Sequence, residues 1–298
     1  MGEEGDGEPG RAPGAAPGAT PLRTLLLQAG AAVGAQLSLL AALLYYFGWV
    51  RSAARASYFG FAESHLAPSA QWYMLSSVPA LYEPFLVASG TLLLWRIGDP
   101  LLVRTLTARP RARRLCCAGL VAALPAVPLA LWAMTRLSPG WWELALPASL
   151  TAGVLLASYG CALWSRTSTG TGADPAWTLW PASMGLYAVG LVVVLVFWTV
   201  GAFASVEGRG SAMRMAATLE HHLGVVVYSA QDLRLSAPGV DVTFYPDRGA
   251  YHYRYQGLKF YAYANGKLFL LPRGWTYDRP QTIVLPDREG LRVEYVGP

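Results

Sequence analysis

Glu83 is an acidic residue set inside a hydrophobic run, where its chemistry would suit ion or proton passage. A carboxylate is costly to bury in hydrocarbon, so residues of this kind usually face a functional cavity or a partner. Glu83 lies near the start of its run, however, where hydration or an ion pair with Arg51 or Arg55 would also stabilise it. The sequence keeps both interpretations open: a channel or transporter path past Glu83, or a carboxylate at the membrane surface without a transport role.

Serine, histidine and acidic residues also occur together between residues 57 and 69, and these are the side chains of a nucleophilic hydrolase site. No Gly-x-Ser-x-Gly elbow accompanies them, and such sites are recognised by geometry. A second group, Glu220, His221, His222 and the distant His252, lacks the regular helical or strand spacing of metal ligands. We therefore expect a non-enzymatic protein with no metal site and no cofactor, and an intramembrane enzyme is the least favoured alternative.

Three tyrosines at alternate positions, Tyr251, Tyr253 and Tyr255, would share one face of a β strand. Together with Arg254 and Lys259 they could bind a glycan, a lipid headgroup or a protein partner by stacking and cation–π contacts. A small domain also needs large apolar side chains for its own core. The pattern favours core packing for one face and leaves a binding role open for the other.

Arginines are concentrated in residues 96–114, where they outnumber Asp99, the single acidic residue. They are Arg96, Arg104, Arg109, Arg111, Arg113 and Arg114. Short loops rich in arginine remain in the cytoplasm, and we expect this loop to contact anionic lipid headgroups. The local excess is as large as the net charge of the whole chain, +5, so we expect no nucleic-acid binding.

Five apolar runs are long enough to cross a bilayer, which needs about 20 residues per helix. They cover residues 25–50, 78–95, 115–135, 143–164 and 181–204 and form the predicted transmembrane domain, 23–204. The second run is the weakest, because Pro79, Glu83 and Pro84 lie near its start. Before it, Ser69 is predicted to cap a short helix at the membrane interface. Pro125 and Pro128 predict a kink in the third run.

The segments outside these runs differ in character. Residues 1–22 are rich in Gly, Pro and Glu and predict a disordered tail. Residues 205–222 predict a juxtamembrane helix, and residues 223–298 predict a small antiparallel β domain. Asn265-Gly266 predicts one hairpin, and the strands that flank residues 286–290 predict a second. The fold class is thus a membrane all-α bundle followed by a β domain.

Counting crossings outward from the Arg-rich loop predicts the orientation. The N-terminus would be cytoplasmic, and the C-terminal domain would be extracytoplasmic, in a multi-pass protein of the plasma membrane.

Three segments of the chain resemble a group of uncharacterised multi-pass membrane proteins of actinomycete bacteria. They are YYFGWVRSAARASYFGF at 45–61, SAQWYMLSS at 69–77 and YRYQGLKFYAYANGKLFLLPRGW at 253–275. The resemblance covers nearly the whole chain after the tail. It implies the same architecture and assigns no functional residue. The sequence therefore favours a sensing or scaffolding protein that presents its β domain outside the membrane to an envelope glycan or protein partner.

Overall fold

Five long helices precede a β sheet in the computed structural model, which describes residues 21–135, 142–167, 182–246 and 249–297. The helices are α1 Pro21–Tyr58, α2 Ala70–Thr107, α3 Pro110–Thr135, α4 Trp142–Thr167 and α5 Ala182–Ala217. All five are long and apolar enough to cross a membrane. The chain divides into two compact units after Leu43: the first contains the N-terminal part of α1, and the second contains everything described below. Residues 1–20 of the predicted tail lie outside the described residues, and α1 already begins at Pro21.

Helix α2 combines two segments that the sequence predicts to be separate. Ser69 caps it as predicted, with its Oγ accepting a hydrogen bond of 3.3 Å from the backbone N–H of Trp72. The helix then continues to Thr107, so the separate interfacial helix is wrong, and most of the expected Arg-rich loop is helical too. Pro79 lies inside α2 and does not end it. In the turns before it, the hydroxyls of Ser76 and Ser77 donate hydrogen bonds of 2.9 and 2.7 Å to the carbonyls of Tyr73 and Met74.

Helices α3 and α4 pack closely through small residues. A Cβ placed on Gly153 would lie 3.1 Å from the Cα of Leu124, and one on Gly160 would lie 2.9 Å from the Cβ of Leu120. The absence of side chains at these glycines therefore lets the two backbones approach, as is common between apolar helices. Pro125 and Pro128 lie inside α3, and the kink expected there stays a prediction.

Helix α5 also extends further than the sequence indicated. It continues to Ala217, so residues 205–217 belong to it rather than to a separate juxtamembrane helix. Among the charged residues after the apolar run, Glu207 pairs with Arg51 of α1 and Arg209 pairs with Glu143 of α4. A short 3-10 turn, Leu219–His221, then leads to the sheet. Lys259 fixes this turn by donating hydrogen bonds to the carbonyls of Glu220 and His222, at 2.7 and 2.9 Å.

The C-terminal part of the described chain forms an antiparallel sheet of six strands. They are β1 Gly224–Ser229, β2 Asp241–Phe244, β3 Tyr253–Ala264, β4 Lys267–Pro272, β5 Ile283–Pro286 and β6 Leu291–Val296. The order is β5-β4-β3-β1-β6, and β2 also pairs with β3. The predicted hairpin at Asn265-Gly266 is confirmed: it joins β3 to β4, with φ of 52° and 65° at the two turn residues.

The second predicted hairpin is wrong, because β5 pairs with β4 whereas β6 pairs with β1. The register puts Pro286 level with Ala264 and Leu291 level with Tyr253, the two ends of β3. These ends would be about 36 Å apart if β3 were straight. The four residues between Pro286 and Leu291 reach at most about 18 Å. Strand β3 must therefore bend, and its pairing shifts near Gly257 and Tyr261 provide the irregularity for this. The sheet curls around one apolar core, made by Val225, Val227, Tyr255, Leu258, Leu268, Leu270, Ile283 and Leu285.

Candidate functional site at the junction of helices and sheet

The outer surface of the curled sheet packs directly against the ends of α1 and α5. Five buried side chains form the centre of this junction: Phe59, Ala212, Met215, Leu219 and Leu271. Phe59 follows α1, Leu271 belongs to β4, and Met215 lies in the last turn of α5. Aromatic rings surround them, with the ring of Phe59 5.2 Å from that of Tyr261 and 5.1 Å from that of Trp275. The sheet is thus seated on the helices by an apolar contact of its own.

The connection between α1 and α2 is held against the sheet by polar contacts. The carbonyl of Phe59 accepts a hydrogen bond of 2.8 Å from the hydroxyl of Thr282. The carbonyl of Leu66 accepts one of 3.2 Å from the side-chain amide of Asn265, in the turn between β3 and β4. Gly60 has a φ of 83°, and a Cβ there would lie 2.8 Å from the Cβ of Pro280. A larger residue would therefore be both strained and crowded at this position.

A charged cluster joins α1, α2 and α5 beneath this apolar contact. The guanidinium of Arg51 pairs with Glu207 and donates a hydrogen bond of 3.2 Å to the carbonyl of Ser76. Arg214 binds the other carboxylate oxygen of Glu207 at 3.1 Å. The side chains of Arg51 and Glu207 are only 17% and 18% exposed, whereas that of Arg214 is 71% exposed. The mostly buried charge of Arg51 is therefore balanced by a carboxylate from another helix, as a buried ion requires.

Two glycines allow the three helices to meet at this level. A Cβ on Gly48 would lie 1.9 Å from the carbonyl oxygen of Tyr73, and one on Gly208 would lie 2.3 Å from the carbonyl oxygen of Arg51. Helix α1 therefore touches α2 and α5 through backbone, next to the residues that form the charged cluster.

Two further polar groups line the junction. Glu63, only 7% exposed, accepts a hydrogen bond from the hydroxyl of the equally buried Tyr73. The guanidinium of Arg55 lies 5.5 Å from the centre of the Tyr261 ring and 3.1 Å from the sulfur of Met215. Burial raises the pKa of the Tyr261 hydroxyl above its ordinary value. Among the described atoms, Nε of Arg55 makes no hydrogen bond.

The structure places the predicted intramembrane residues apart. Glu83 is exposed on the surface of α2. Its suggested partners contact other groups: Arg51 binds Glu207, and Arg55 lies against Tyr261 and Met215. The pairing of Glu83 with Arg51 is therefore not formed. Glu207 is not among the residues predicted from the sequence, although an acidic residue just after one apolar run and a basic residue just after another provide a signal for such a pair.

The tyrosine stripe points mainly into the sheet. Tyr255 is fully buried, and its hydroxyl donates to Asp232 at 2.8 Å and accepts from the N–H of Leu233 at 2.7 Å. Burial and the bond to Asp232 raise the pKa of Tyr255 to about 12. Tyr253 packs against the same core, while Tyr251 precedes β3 and is partly buried. Tyr255 consequently does not contribute to a binding surface.

The two cations of the proposed tyrosine surface also lie apart. Lys259 binds the turn after α5, as described above, whereas Arg254 lies 5.9 Å from the ring centre of Tyr228 in the neighbouring strand.

The Arg-rich segment contains the C-terminal end of α2, the connection that follows it and the N-terminal end of α3. Arg104 lies in the last turn of α2, and Arg109 lies in the two-residue connection to α3. Arg111, Arg113 and Arg114 lie in the first turns of α3. Arg113 donates a hydrogen bond of 2.6 Å to the carbonyl of Thr167 and lies 4.9 Å from the ring centre of Trp164. One of these arginines therefore has a packing role, while Arg104, Arg109 and Arg114 are exposed.

The junction contains ion pairs and packed rings, an arrangement that fixes the positions of four chain segments relative to one another. Among the described residues, no group of three or more His, Cys, Asp or Glu side chains could hold a metal ion. Comparison with protein-family models, with curated proteins and with solved structures finds no match for this chain.

Proposed function

We propose that the chain is a multi-pass protein of the plasma membrane whose β domain lies outside the cytoplasm. The five apolar helices support this placement. Ser76 and the junction lie near the start of α2, whereas Arg104 lies at its far end, so the two are separated by the length of one span. Arginine excess marks the cytoplasmic side of a membrane. The N-terminus would then be cytoplasmic, with anionic lipid headgroups around the exposed arginines.

The function we propose is non-enzymatic sensing or scaffolding by the β domain. The observation that carries it is the apolar junction, in which Phe59, Met215 and Leu271 seat the sheet directly on the helix ends. A domain fixed in this way presents a constant surface at a constant height above the membrane. It also transmits a force on the sheet to α1 and α5, as a sensor of an envelope glycan or protein requires. Exposed aromatic side chains on the sheet, such as Phe244 and Tyr295, offer contacts for such a partner.

Sidedness is tested with single cysteines in a background from which Cys116, Cys117 and Cys161 have been replaced. Lys267→Cys places a thiol at the start of β4, and Ala108→Cys places one between α2 and α3. Both positions are exposed. With a membrane-impermeant maleimide, position 267 should react in intact cells, and position 108 should react only after permeabilisation. The reverse pattern would contradict the orientation.

The role of the junction is tested by complementation of a deletion strain with a measurable phenotype. Phe59→Ala removes the central ring of the junction, a change that costs about 3–5 kcal/mol in packed cores. Phe85→Ala is the matched control, since Phe85 is 70% exposed on α2 and belongs neither to the sheet nor to the junction. Phe59→Ala should fail to complement while the labelled protein still reaches the cell surface. Full complementation by a chain whose junction has been disrupted would refute a sensing role that depends on this contact.

A further inference from the structure

A cavity of about 300 Å³ lies between α4 and α5, and none of its lining residues belongs to the apolar junction with the sheet. It is lined by Glu143 and Leu146 from α4 and by Trp198, Ala202 and Ser205 from α5. The α5 residues follow one another at helical spacing and therefore share one face. The two helices thus enclose a lateral cleft with an apolar floor and a polar rim.

The rim of this cleft carries opposite charges side by side. Arg209 pairs with Glu143 and also donates a hydrogen bond of 3.0 Å to the hydroxyl of Ser205. The Arg209 and Glu143 side chains are 39% and 51% exposed. A guanidinium has five N–H donors and a carboxylate has about four acceptor sites, so both groups keep unused capacity. The rim can therefore offer a donor and an acceptor to one ligand at once.

The cleft spans the change from apolar to charged residues along α5. Trp198 lies in the apolar part of the helix, and Arg209 lies about 16 Å further along the axis at 1.5 Å per residue. Glu143 lies in the first turn of α4. In the membrane placement proposed above, this level is the boundary between hydrocarbon and headgroups, where tryptophan is enriched.

We propose that this cleft binds the zwitterionic headgroup of a phospholipid with a primary ammonium, of the phosphoethanolamine class. The ammonium donates to Glu143, and the phosphate accepts from Arg209. The glycerol and the first chain carbons lie along Leu146 and Trp198. The proposal rests on the membrane placement but not on the sensing role.

The chemistry of the rim selects this headgroup over the two common alternatives. A trimethylammonium group has no N–H to donate to Glu143, so a choline headgroup loses the hydrogen bond. A headgroup that is only anionic would bring its charge next to the carboxylate of Glu143, which opposes binding. The volume, at the small end of ligand sites, fits a headgroup and not a complete lipid.

The test reconstitutes the full chain into vesicles that contain equal amounts of phosphatidylethanolamine, phosphatidylcholine and phosphatidylglycerol. The lipids that remain bound after mild detergent extraction are then quantified by mass spectrometry. Phosphatidylethanolamine should be enriched several-fold over both other lipids. Equal retention of the three lipids, or preference for either of the others, would overturn the proposal.

Three variants assign any enrichment to the cleft. Glu143→Gln removes the acceptor charge with little change in size and should abolish the preference. Glu220→Gln changes the charge equally at a carboxylate that is 72% exposed and distant from the cleft, and it should keep the preference. Leu146→Trp fills the cavity and leaves both charged residues in place. It should also abolish the preference, so the site can still be tested if Glu143→Gln fails to fold. Retention of the preference in a folded Glu143→Gln or Leu146→Trp protein would refute the site.

Soluble glycerophosphoethanolamine, which has the phosphodiester charge of the lipid headgroup, distinguishes a lipid from a free metabolite. In detergent, this soluble headgroup should bind more weakly than the lipid, because it lacks the chain carbons that contact Leu146 and Trp198. Binding as tight as that of the lipid would assign the cleft to a free zwitterion and overturn the lipid proposal. None of these outcomes affects the complementation test with Phe59→Ala, so the lipid site and the sensing role can fail independently of each other.

Discussion

Replacement of Gly208 by alanine tests the close contact on which the junction depends. The new Cβ would lie 2.3 Å from the carbonyl oxygen of Arg51 and 3.1 Å from the Cβ of Ala54, whereas ordinary contacts begin near 3.4 Å. The nearest atom belongs to the backbone of α1, so no side-chain rotation relieves the clash. The two helices must therefore separate by about 1 Å, since packed interiors leave no spare room.

The expected cost is set by two opposing effects. Overpacking of this kind costs about 1–3 kcal/mol, and a separation of the helices also stretches the ion pair of Arg51 with Glu207. Alanine favours the helix over glycine by about 1 kcal/mol. The overpacking cost less the helix-propensity gain leaves a loss of up to about 2 kcal/mol for Gly208→Ala, and the stretched ion pair adds to this loss. Gly190→Ala, in the same helix, has no atom within 4 Å of its new Cβ and should gain up to about 1 kcal/mol.

The assay is denaturant unfolding of the two purified variants and the parent in the same detergent, followed by tryptophan fluorescence. The order of stability should be Gly190→Ala, then the parent, then Gly208→Ala. Because both variants make the same chemical change in α5, their difference isolates the contact with α1. If Gly208→Ala were as stable as Gly190→Ala, the close approach of the two backbones would be disproved.

The remaining predictions concern the charged cluster and the sheet. Glu207→Gln should destabilise the protein by more than about 1 kcal/mol in the same unfolding assay, because it leaves the mostly buried charge of Arg51 without its partner. Arg214→Ala should change stability by about 0.5 kcal/mol or less, because Arg214 is largely exposed. Equal effects of the two variants would contradict this ranking. Tyr255→Phe should cost about 1–3 kcal/mol, because its hydroxyl satisfies two groups of the segment before β2. The N–H of Arg234 and the hydroxyl of Tyr255 lower the pKa of Asp232 below its ordinary 3.8. The Asp232 carboxylate therefore contributes its full stabilisation to the folded protein above pH 3.8, and this stabilisation is lost as the pH falls through the lower pKa of the folded state. Unfolding measured from pH 7 to pH 2 should therefore show a steeper acid loss for the parent than for Asp232→Asn, and identical slopes would rule out this role.

Features determined by neighbouring residues were predictable from the sequence. The apolar runs, the cap at Ser69 and the turn at Asn265-Gly266 each depend on the types of a few consecutive residues. Helix ends were less predictable, because α2 continues through Pro79 and α5 continues past Glu207. In α5 the charge of Glu207 is balanced by an ion pair with Arg51, a contact far away in the chain that the local residue pattern does not show.

Features that depend on distant residues could not be predicted. Arg51 and Glu207 are 156 positions apart, and either could have paired with another opposite charge. The loop before β6 has the composition of a hairpin turn, yet β6 pairs with β1, which lies between β3 and β6 in the sheet. The same limit explains why Tyr255 was considered for a surface: the stripe shows that its members share a face, but only the curled sheet decides that this face is the core.

The β domain is fixed on the helices and is not attached by a flexible linker, because its connections to them are short and hydrogen-bonded. Only residues 218–223 separate α5 from β1, and Lys259 fixes them through two hydrogen bonds to their carbonyls. A second attachment, between α1 and α2, is bonded to Thr282 and Asn265 in separate parts of the sheet. Rotation of the sheet about either attachment would break the bonds at the other and expose the apolar side chains around Phe59. A displacement of the sheet must therefore be accompanied by movement of the ends of α1 and α5, which Arg51 and Glu207 connect.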